Sequence, residues 1–454
     1  MLKKRVFINF FLICVFLFNS IGCSFAEVKT GDREMTEQDY LIKEAIVPQI
    51  PQYPELDEDT AMDEETEAQF QSWWDATVDR QSILIPDEDR IRQFVLDSTR
   101  ILASGQKEKN FLYSPVSLWF CLQTMAGLTE GNCREQILDV VGNPPADAGA
   151  SLNDRVYRSL YWDDGVYACL PMISLWLNDH VRMAPSFAEA LAAEHASVFQ
   201  GKMGDEAYDH ALRSWLDEKT NGLLEKTVSD IRFAPDADFS VCSALYIKNN
   251  WSRPFSREKT SPDVFYSGSR EIQAEYMHGD SEGVIWNGDG FTSMALDFTD
   301  GGYVLFILPD ENVNPEDLLM SDALDPFLFA ARDWEDGEYG RINYSVPKLD
   351  CLADMPLRDT LEELGITDIF DSDAAQFVSG MSSDREMAMS SLQQFARLVM
   401  DEDGVEAAAV TISDTLTLLI PSENEIDFNL NRPFLYAVMS DRDIPLFLGT
   451  VYAP

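Results

Sequence analysis

Side-chain chemistry needs a nucleophile, a base or a ligand cluster, and this chain offers few. Its four histidines, His180, His195, His210 and His278, stand apart from one another, and none has a sequence context that marks a general base. A G-x-S-x-G elbow, an HExxH helix, Walker A and GxGxxG loops and an EF-hand loop are all absent. No hydrolase, metal, nucleotide or dinucleotide site therefore has a motif behind it, and no cofactor is implied. The cysteines, Cys14, Cys23, Cys121, Cys133, Cys169, Cys242 and Cys351, are scattered singly without CxxC spacing. Most read as packing residues, and the spacing selects no disulfide pair.

One stretch carries a different kind of pattern. From Met400 the chain reads Asp401-Glu402-Asp403-Gly404-Val405-Glu406-Ala407-Ala408-Ala409-Val410-Thr411, then continues through Leu416-Thr417-Leu418-Leu419-Ile420-Pro421. Every second residue from Val405 is uncharged and nearly all are small: Val405, Ala407, Ala409, Thr411, Ser413 and Thr415. Glu406 and Asp414 fall on the other face. Small side chains on one face let a strand slide between two close neighbours, where a charge or a bulky ring would meet desolvation or overpacking. An edge strand that never moves has the same period, so the pattern by itself permits insertion without requiring it.

The elements that would position this stretch are legible further back. Ile91, Phe94, Val95, Ser98 and Ile101 recur at helical spacing, and Phe111-Leu112-Tyr113-Ser114-Pro115 predicts a short strand ended by proline. Residues 116–127 are apolar nearly all round, which predicts a buried helix, with Gly127 and Gly131 bounding a connector to a helix over 134–141. Residues 173–177 and 240–247 read as central strands, with an amphipathic helix over 211–224 between them that ends near Gly222. Further strands fall at 303–308, 435–439 and 446–449. No repeat or second linker divides residues 87–454, so they read as one mixed domain.

Hydrophobic residues at 45% and aromatic residues at 11% supply a sizeable core and exclude a wholly disordered chain. With 34 Lys and Arg against 79 Asp and Glu, the net charge of -45 repels nucleic acid and anionic lipid, and reads first as a solubilising surface. Residues 1–26 have the three-part order of an export signal: Lys3, Lys4 and Arg5, an apolar run from Val6 to Phe18, then small residues. Two processing sites compete. Ser24-Phe25-Ala26 suits ordinary cleavage, whereas Ile21-Gly22-Cys23 resembles a lipobox with Cys23 as the lipidated residue, though Ser20 replaces its usual aliphatic residue. Residues 27–86, rich in Asp, Glu, Pro and Gln, read as an acidic flexible tether with one apolar patch, Phe70-Gln71-Ser72-Trp73-Trp74, expected to dock on the domain.

Over nearly all of residues 89–454 the sequence resembles the serpin family. The resemblance is carried in order by Asn110-Phe111-Leu112-Tyr113-Ser114-Pro115-Val116-Ser117, Met125-Ala126-Gly127-Leu128-Thr129-Glu130-Gly131, Trp215-Leu216-Asp217-Glu218-Lys219-Thr220-Asn221-Gly222, Ala244-Leu245-Tyr246-Ile247-Lys248-Asn249-Asn250-Trp251, Ser345-Val346-Pro347-Lys348 and Phe428-Asn429-Leu430-Asn431-Arg432-Pro433-Phe434. It implies an α+β fold of about nine helices around three β-sheets, with an exposed reactive-centre loop at 404–422. It also implies a monomeric inhibitor rather than an enzyme. A target serine protease, or a cysteine protease as a second class, attacks the loop, and the cleaved loop enters the central sheet as a new strand.

What the resemblance assigns to single residues follows. Glu402, Gly404, Val405, Glu406, Ala407, Ala408 and Ala409 form the loop hinge, and loop length places the reactive-site bond between Leu418 and Leu419. Leucine suits the apolar pocket of a chymotrypsin-like or elastase-like protease. Trp251 takes the breach tryptophan's place, and Ser114 and Ser117 keep the shutter serines. Three positions depart: Val405 stands where Thr or Ser is usual, Ser243 replaces Asn, and Gln394 replaces His. Gln394 donates and accepts as His and Asn do, so a working shutter is expected. Export places the domain in the extracellular space or at the cell surface, lipid-anchored if Cys23 is modified. A non-inhibitory serpin acting as a binding or structural module is the alternative reading.

Overall fold

Strand-forming runs of Val, Ile, Leu and aromatic residues assemble two large sheets. The computed structural model describes residues 35–54, 63–142, 151–225, 228–389, 392–406 and 424–454. Within them, the first sheet runs in the order β1 (Leu41–Lys43), β6 (Ala196–Gly201), β4 (Ala168–Asn178), β7 (Phe239–Asn250), β16 (Gly404–Val405), β15 (Gln393–Met400) and β13 (Leu349–Pro356), with β3 (Trp162–Asp163) beside β4. The second runs β17 (Glu425–Asn429), β12 (Gly337–Pro347), β9 (Arg270–Gly288), β10 (Phe291–Asp297), β11 (Tyr303–Pro309), β18 (Phe434–Met439), β19 (Pro445–Val451) and β2 (Phe111–Tyr113), with β8 (Ser261–Ser267) beside β9. A third pairs β5 (Arg182–Met183) with β14 (Met381–Ser382).

The described helices number ten: α1 (Glu64–Gln81), α2 (Glu88–Ser104), α3 (Pro115–Leu128), α4 (Gly131–Val141), α5 (Leu152–Leu160), α6 (Pro185–Ala193), α7 (Glu206–Lys219), α8 (Pro315–Leu319), α9 (Asp325–Leu328) and α10 (Arg358–Glu363). The α+β class and the three sheets are as expected. Pro115 does not so much end a strand as open a helix: it occupies the first turn of α3, where its missing N–H costs nothing, and Ser114 caps that helix. Gly127 lies inside α3 rather than bounding it. The connector shrinks to Thr129 and Glu130, and Gly131 opens α4 at φ +56°.

Three apolar clusters hold the layers. The largest joins the first sheet, the second sheet and α3, whose residues are buried on nearly every side. A second packs Val95 and Ala103 of α2 with Leu318, Leu319 and Phe327 against Tyr303, Leu305 and Leu435. The third seats α7 on the first sheet through Tyr208, Leu212 and Trp215, which meet Trp176 and Phe199. Trp176 and Phe199 stack 4.1 Å apart. Residues 35–454 form one unit.

The leader is more ordered than a flexible tether. Asp63 caps α1 by accepting from the Thr66 amide at 2.8 Å, and three glutamates in the first turn complement the helix dipole. Trp73 donates through Nε1 to Asp164 at 2.9 Å and meets Tyr53 edge-on, so the Phe70–Trp74 patch docks on the domain as expected. Arg80 adds a buried ion pair with Asp441 at 2.8 Å and lies over the Trp162 ring. Earlier in the leader, β1 pairs antiparallel with β6, and the Ala45 amide donates to Ser197 Oγ at 3.1 Å. These docked contacts supply the ordering free energy that the polar composition lacks by itself.

Candidate functional site: hinge, breach and shutter

The site is the seam in the first sheet between β7 and β15. After Met400 the chain reverses at residues 401–403, where the Asp401 carboxylate accepts from the Asp403 and Gly404 amides at 2.9 and 3.4 Å. It then re-enters the sheet as β16. Gly404 and Val405 pair with Asn250 and Asn249 of β7, and Val405 pairs with Met400 of β15, antiparallel on both sides. A Cβ on residue 404 would overlap the Asn249 carbonyl, so glycine is required by the close approach of two backbones. Val405 is 1% exposed and joins the main core. Among the described residues, β15 reaches β7 in the ladder only through these two residues.

The breach clamps the turn. Trp251 donates its indole N–H to the Asp401 carbonyl at 2.8 Å and its amide to the Asp403 carbonyl at 2.9 Å. The Phe255 amide adds a bond to the Glu402 carbonyl at 2.9 Å. The Trp251 ring stacks on Phe298 at 5.0 Å. Glu402, whose side chain is 4% exposed, meets Lys348 Nζ at 2.7 Å and accepts from the Thr260 hydroxyl at 2.8 Å. Burial works against its charge, but the Lys348 ammonium and these hydrogen bonds more than offset that and hold the carboxyl below its usual range. Arg257 pairs with Asp403 at the surface. Lys348 stands in the sequence only as part of a family signature; its partner 54 positions on could not be read from spacing.

The shutter ties both strands flanking the seam to the first turn of α3. Gln394 of β15 accepts from the Ser114 amide and donates to the Ser114 carbonyl, both at 2.9 Å. Ser243 of β7 donates to the Ser117 carbonyl at 3.0 Å, and Ser114 Oγ accepts from the Ser117 amide at 3.3 Å. The amide of Gln394 thus uses both its donor and its acceptor, and the substituted cluster is closed by hydrogen bonds.

Of the remaining sequence-predicted residues, Ala407, Ala408, Ala409, Leu418, Leu419 and Cys23 lie outside the described residues. The histidines are engaged locally. His195, 4% exposed, bonds the Ile46 carbonyl and Asp154 and stacks on Tyr157 at 3.8 Å; His180 pairs with Asp238 at 2.8 Å; His278 sits between the hydroxyls of Ser261 and Ser345. The five described cysteines are free thiols. Burial pushes Cys121, Cys169 and Cys242 up to about 12, so they are inert packing groups.

A large sheet in which β16 joins β7 to β15, a turn clamped beside that junction and a cluster of hydrogen bonds tying both strands to α3 define the class of fold. Comparison with known proteins gives that class its family. The model of the family described as Serpin (serine protease inhibitor) matches residues 89–454, and the chain belongs to the serpin family. Alpha-1-antiproteinase S of Cavia porcellus is 24% identical over 376 residues, 80% of this chain and 89% of the relative. Serpin-Z2A of Triticum aestivum is 26% identical over 380 residues, 80% of this chain and 94% of the relative. Among solved structures, the thermophilic serpin tengpin in its native state superposes with a TM-score of 0.69 at 21% identity, covering 82% of this chain and 95% of its own. Human thyroxine-binding globulin complexed with thyroxine gives 0.68 at 22% identity, covering 84% and 99%.

Proposed function

We propose that the chain is a suicide-type inhibitor of extracellular serine proteases of the chymotrypsin-like or elastase-like kind, with cysteine proteases as a second class of target. The observation that carries this reading is β16, in which the first residues of the hinge are already seated between β7 and β15. Family membership and the antiproteinase names of its relatives support inhibition in general. The small, neutral face that follows Val405 supports uptake of the rest of the strand.

In this mechanism the protease's nucleophile attacks the Leu418 carbonyl carbon, the Leu418–Leu419 peptide bond breaks, and the Leu419 amine leaves with the proton. The acyl-enzyme remains on Leu418. The freed strand continues downward from Val405, with Ala407, Ala409, Thr411, Ser413 and Thr415 turned toward the core, and the enzyme is carried with it. Leu418 offers an apolar side chain and no cation for a trypsin-like pocket. The leading signal of residues 1–26 supports export, with anchoring by lipid if Cys23 is the processed residue. A non-inhibitory binding module is the second reading, supported by the shared fold of thyroxine-binding globulin crystallised with thyroxine.

Incubation with a chymotrypsin-like or elastase-like protease should give a complex that survives SDS electrophoresis and release a C-terminal peptide beginning near Leu419. Cleavage of the loop with the protease fully active at every ratio would refute inhibition and leave the second reading. Mass spectrometry of the mature N-terminus distinguishes lipidated Cys23 from free Glu27.

A further inference from the structure

We propose that Glu406 is a positioning residue whose protonation sets how far the hinge sits in the sheet: the neutral carboxyl holds β16 between β7 and β15, and the carboxylate drives the turn outward. Its effect on the reactive loop rests on the inhibitory reading above; the seated hinge itself does not.

Glu406 is the first residue past β16. Its amide donates to the Val399 carbonyl at 3.1 Å, and its φ of +46° is left-handed, a strained setting for a residue with a side chain. Its side chain lies among Tyr246 and Lys248 of β7, Asn221 just past α7, and Arg397 of β15. Asp163 of β3 acts on Tyr246, and Asp350 of β13 on Arg397.

Both cations are held elsewhere. Arg397 binds the Asp350 carboxylate through Nε and Nη2 at 2.8 Å each and gives Nη1 to the Leu223 carbonyl at 3.0 Å. Lys248 reaches the Gly165 carbonyl at 3.4 Å. Oε2 of Glu406 is buried without a hydrogen-bond partner. Burial therefore dominates and pushes the carboxyl up to about 7; hydrogen bonds from Tyr246 and Asn221, and the more distant charges of Arg397 and Lys248, pull it back only in part.

The sign follows from the two states. Expelled into water, Glu406 regains an ordinary carboxyl value near 4.5. Below that value both states are protonated and insertion is favoured. Between about 4.5 and about 7 the seated hinge keeps a proton that the expelled hinge has released, so insertion weakens as pH rises. Above about 7 both are ionised and the seated state carries the full desolvation penalty. The inserted-to-expelled ratio then falls by at most about 300-fold across the window, less as solvent screens the partly covered group. Acid seats the hinge; neutral to alkaline conditions release it.

The test is amide hydrogen exchange on the full chain from about pH 5 to about pH 8.5, corrected for the intrinsic pH dependence of exchange. Protection of the Glu406 amide, which reports its bond to Val399, should fall by at least about tenfold between about pH 5 and about pH 7 and then level off. In Glu406→Gln it should stay high and flat. Flat protection in the wild type, or an equal fall in Glu406→Gln, overturns the proposal. Should that variant fail to fold, Tyr246→Phe removes a donor to the carboxylate and should extend the fall to higher pH before it levels off; an unmoved end to the fall overturns it equally. No protease enters this measurement, so it fails or succeeds separately from inhibition.

Discussion

Replacing Gln394 by Leu tests the shutter directly. Gln394 is 2% exposed, and its amide makes both of its bonds to one residue, Ser114. A leucine of similar length leaves the Ser114 N–H buried without a partner, a loss of about 1–3 kcal/mol. The Ser114 carbonyl keeps the Leu118 amide at 3.3 Å, so its lost second bond adds only about 0.5–1.5 kcal/mol. The extra apolar carbon buried by leucine returns about 1 kcal/mol. The net destabilisation is about 0.5–3.5 kcal/mol, and it falls on the tie that holds β15 to α3. Urea unfolding followed by tryptophan fluorescence should show a lower midpoint. On the inhibitory reading the native state is held by a barrier, so spontaneous conversion to a loop-inserted form should quicken by about 2- to 400-fold when the same free energy is lost from that barrier. An unchanged midpoint together with an unchanged conversion rate would refute the reasoning. Gln394→His, which retains one of the two bonds, should fall between wild type and leucine.

Three further outcomes are expected. Gly404→Ala puts a methyl group into the Asn249 carbonyl and should expel the hinge at every pH, seen as loss of Glu406 amide protection. Ala407→Arg places a guanidinium on the face that must enter the sheet, so the variant should be cleaved as a substrate, with no SDS-stable complex. Arg80→Met leaves the Asp441 carboxylate, 5% exposed, without its partner, and should lower stability by about 3–5 kcal/mol, measured by chemical unfolding, with proteolysis reporting release of α1.

Two central strands of the first sheet were legible because they are buried on both faces. Residues 173–177 and 240–247 are nearly continuous apolar runs, and they became β4 and β7 with somewhat longer bounds. The inward side of Val405 was legible too, since alternation is a local property of extended chain. That Glu406 lies under Asn221 was not, because the cover comes from a residue 185 positions away. The helix in the leader was hidden for a similar reason. Its residues are polar on most sides, and the contacts that order it, Trp73 to Asp164 and Arg80 to Asp441, join residues 91 and 361 positions apart. The Gln394 substitution was read correctly as able to donate and accept, while its partner, the Ser114 main chain rather than a side chain, is a matter of geometry alone.

The two outer strands of the first sheet are shielded by different means. At one margin the leader lays β1 along β6, so the N–H and C=O groups that would template another chain are already occupied from within. At the other, β13 alternates core residues with Asp350, Leu352, Asp354 and Pro356 on its exposed face, and its charges and terminal proline discourage a foreign strand. On the inhibitory reading, a sheet that takes up a strand along an internal seam is thereby closed to strangers along its borders. A chain lacking residues 35–62 would lose one of those borders, and self-association should then begin at β6.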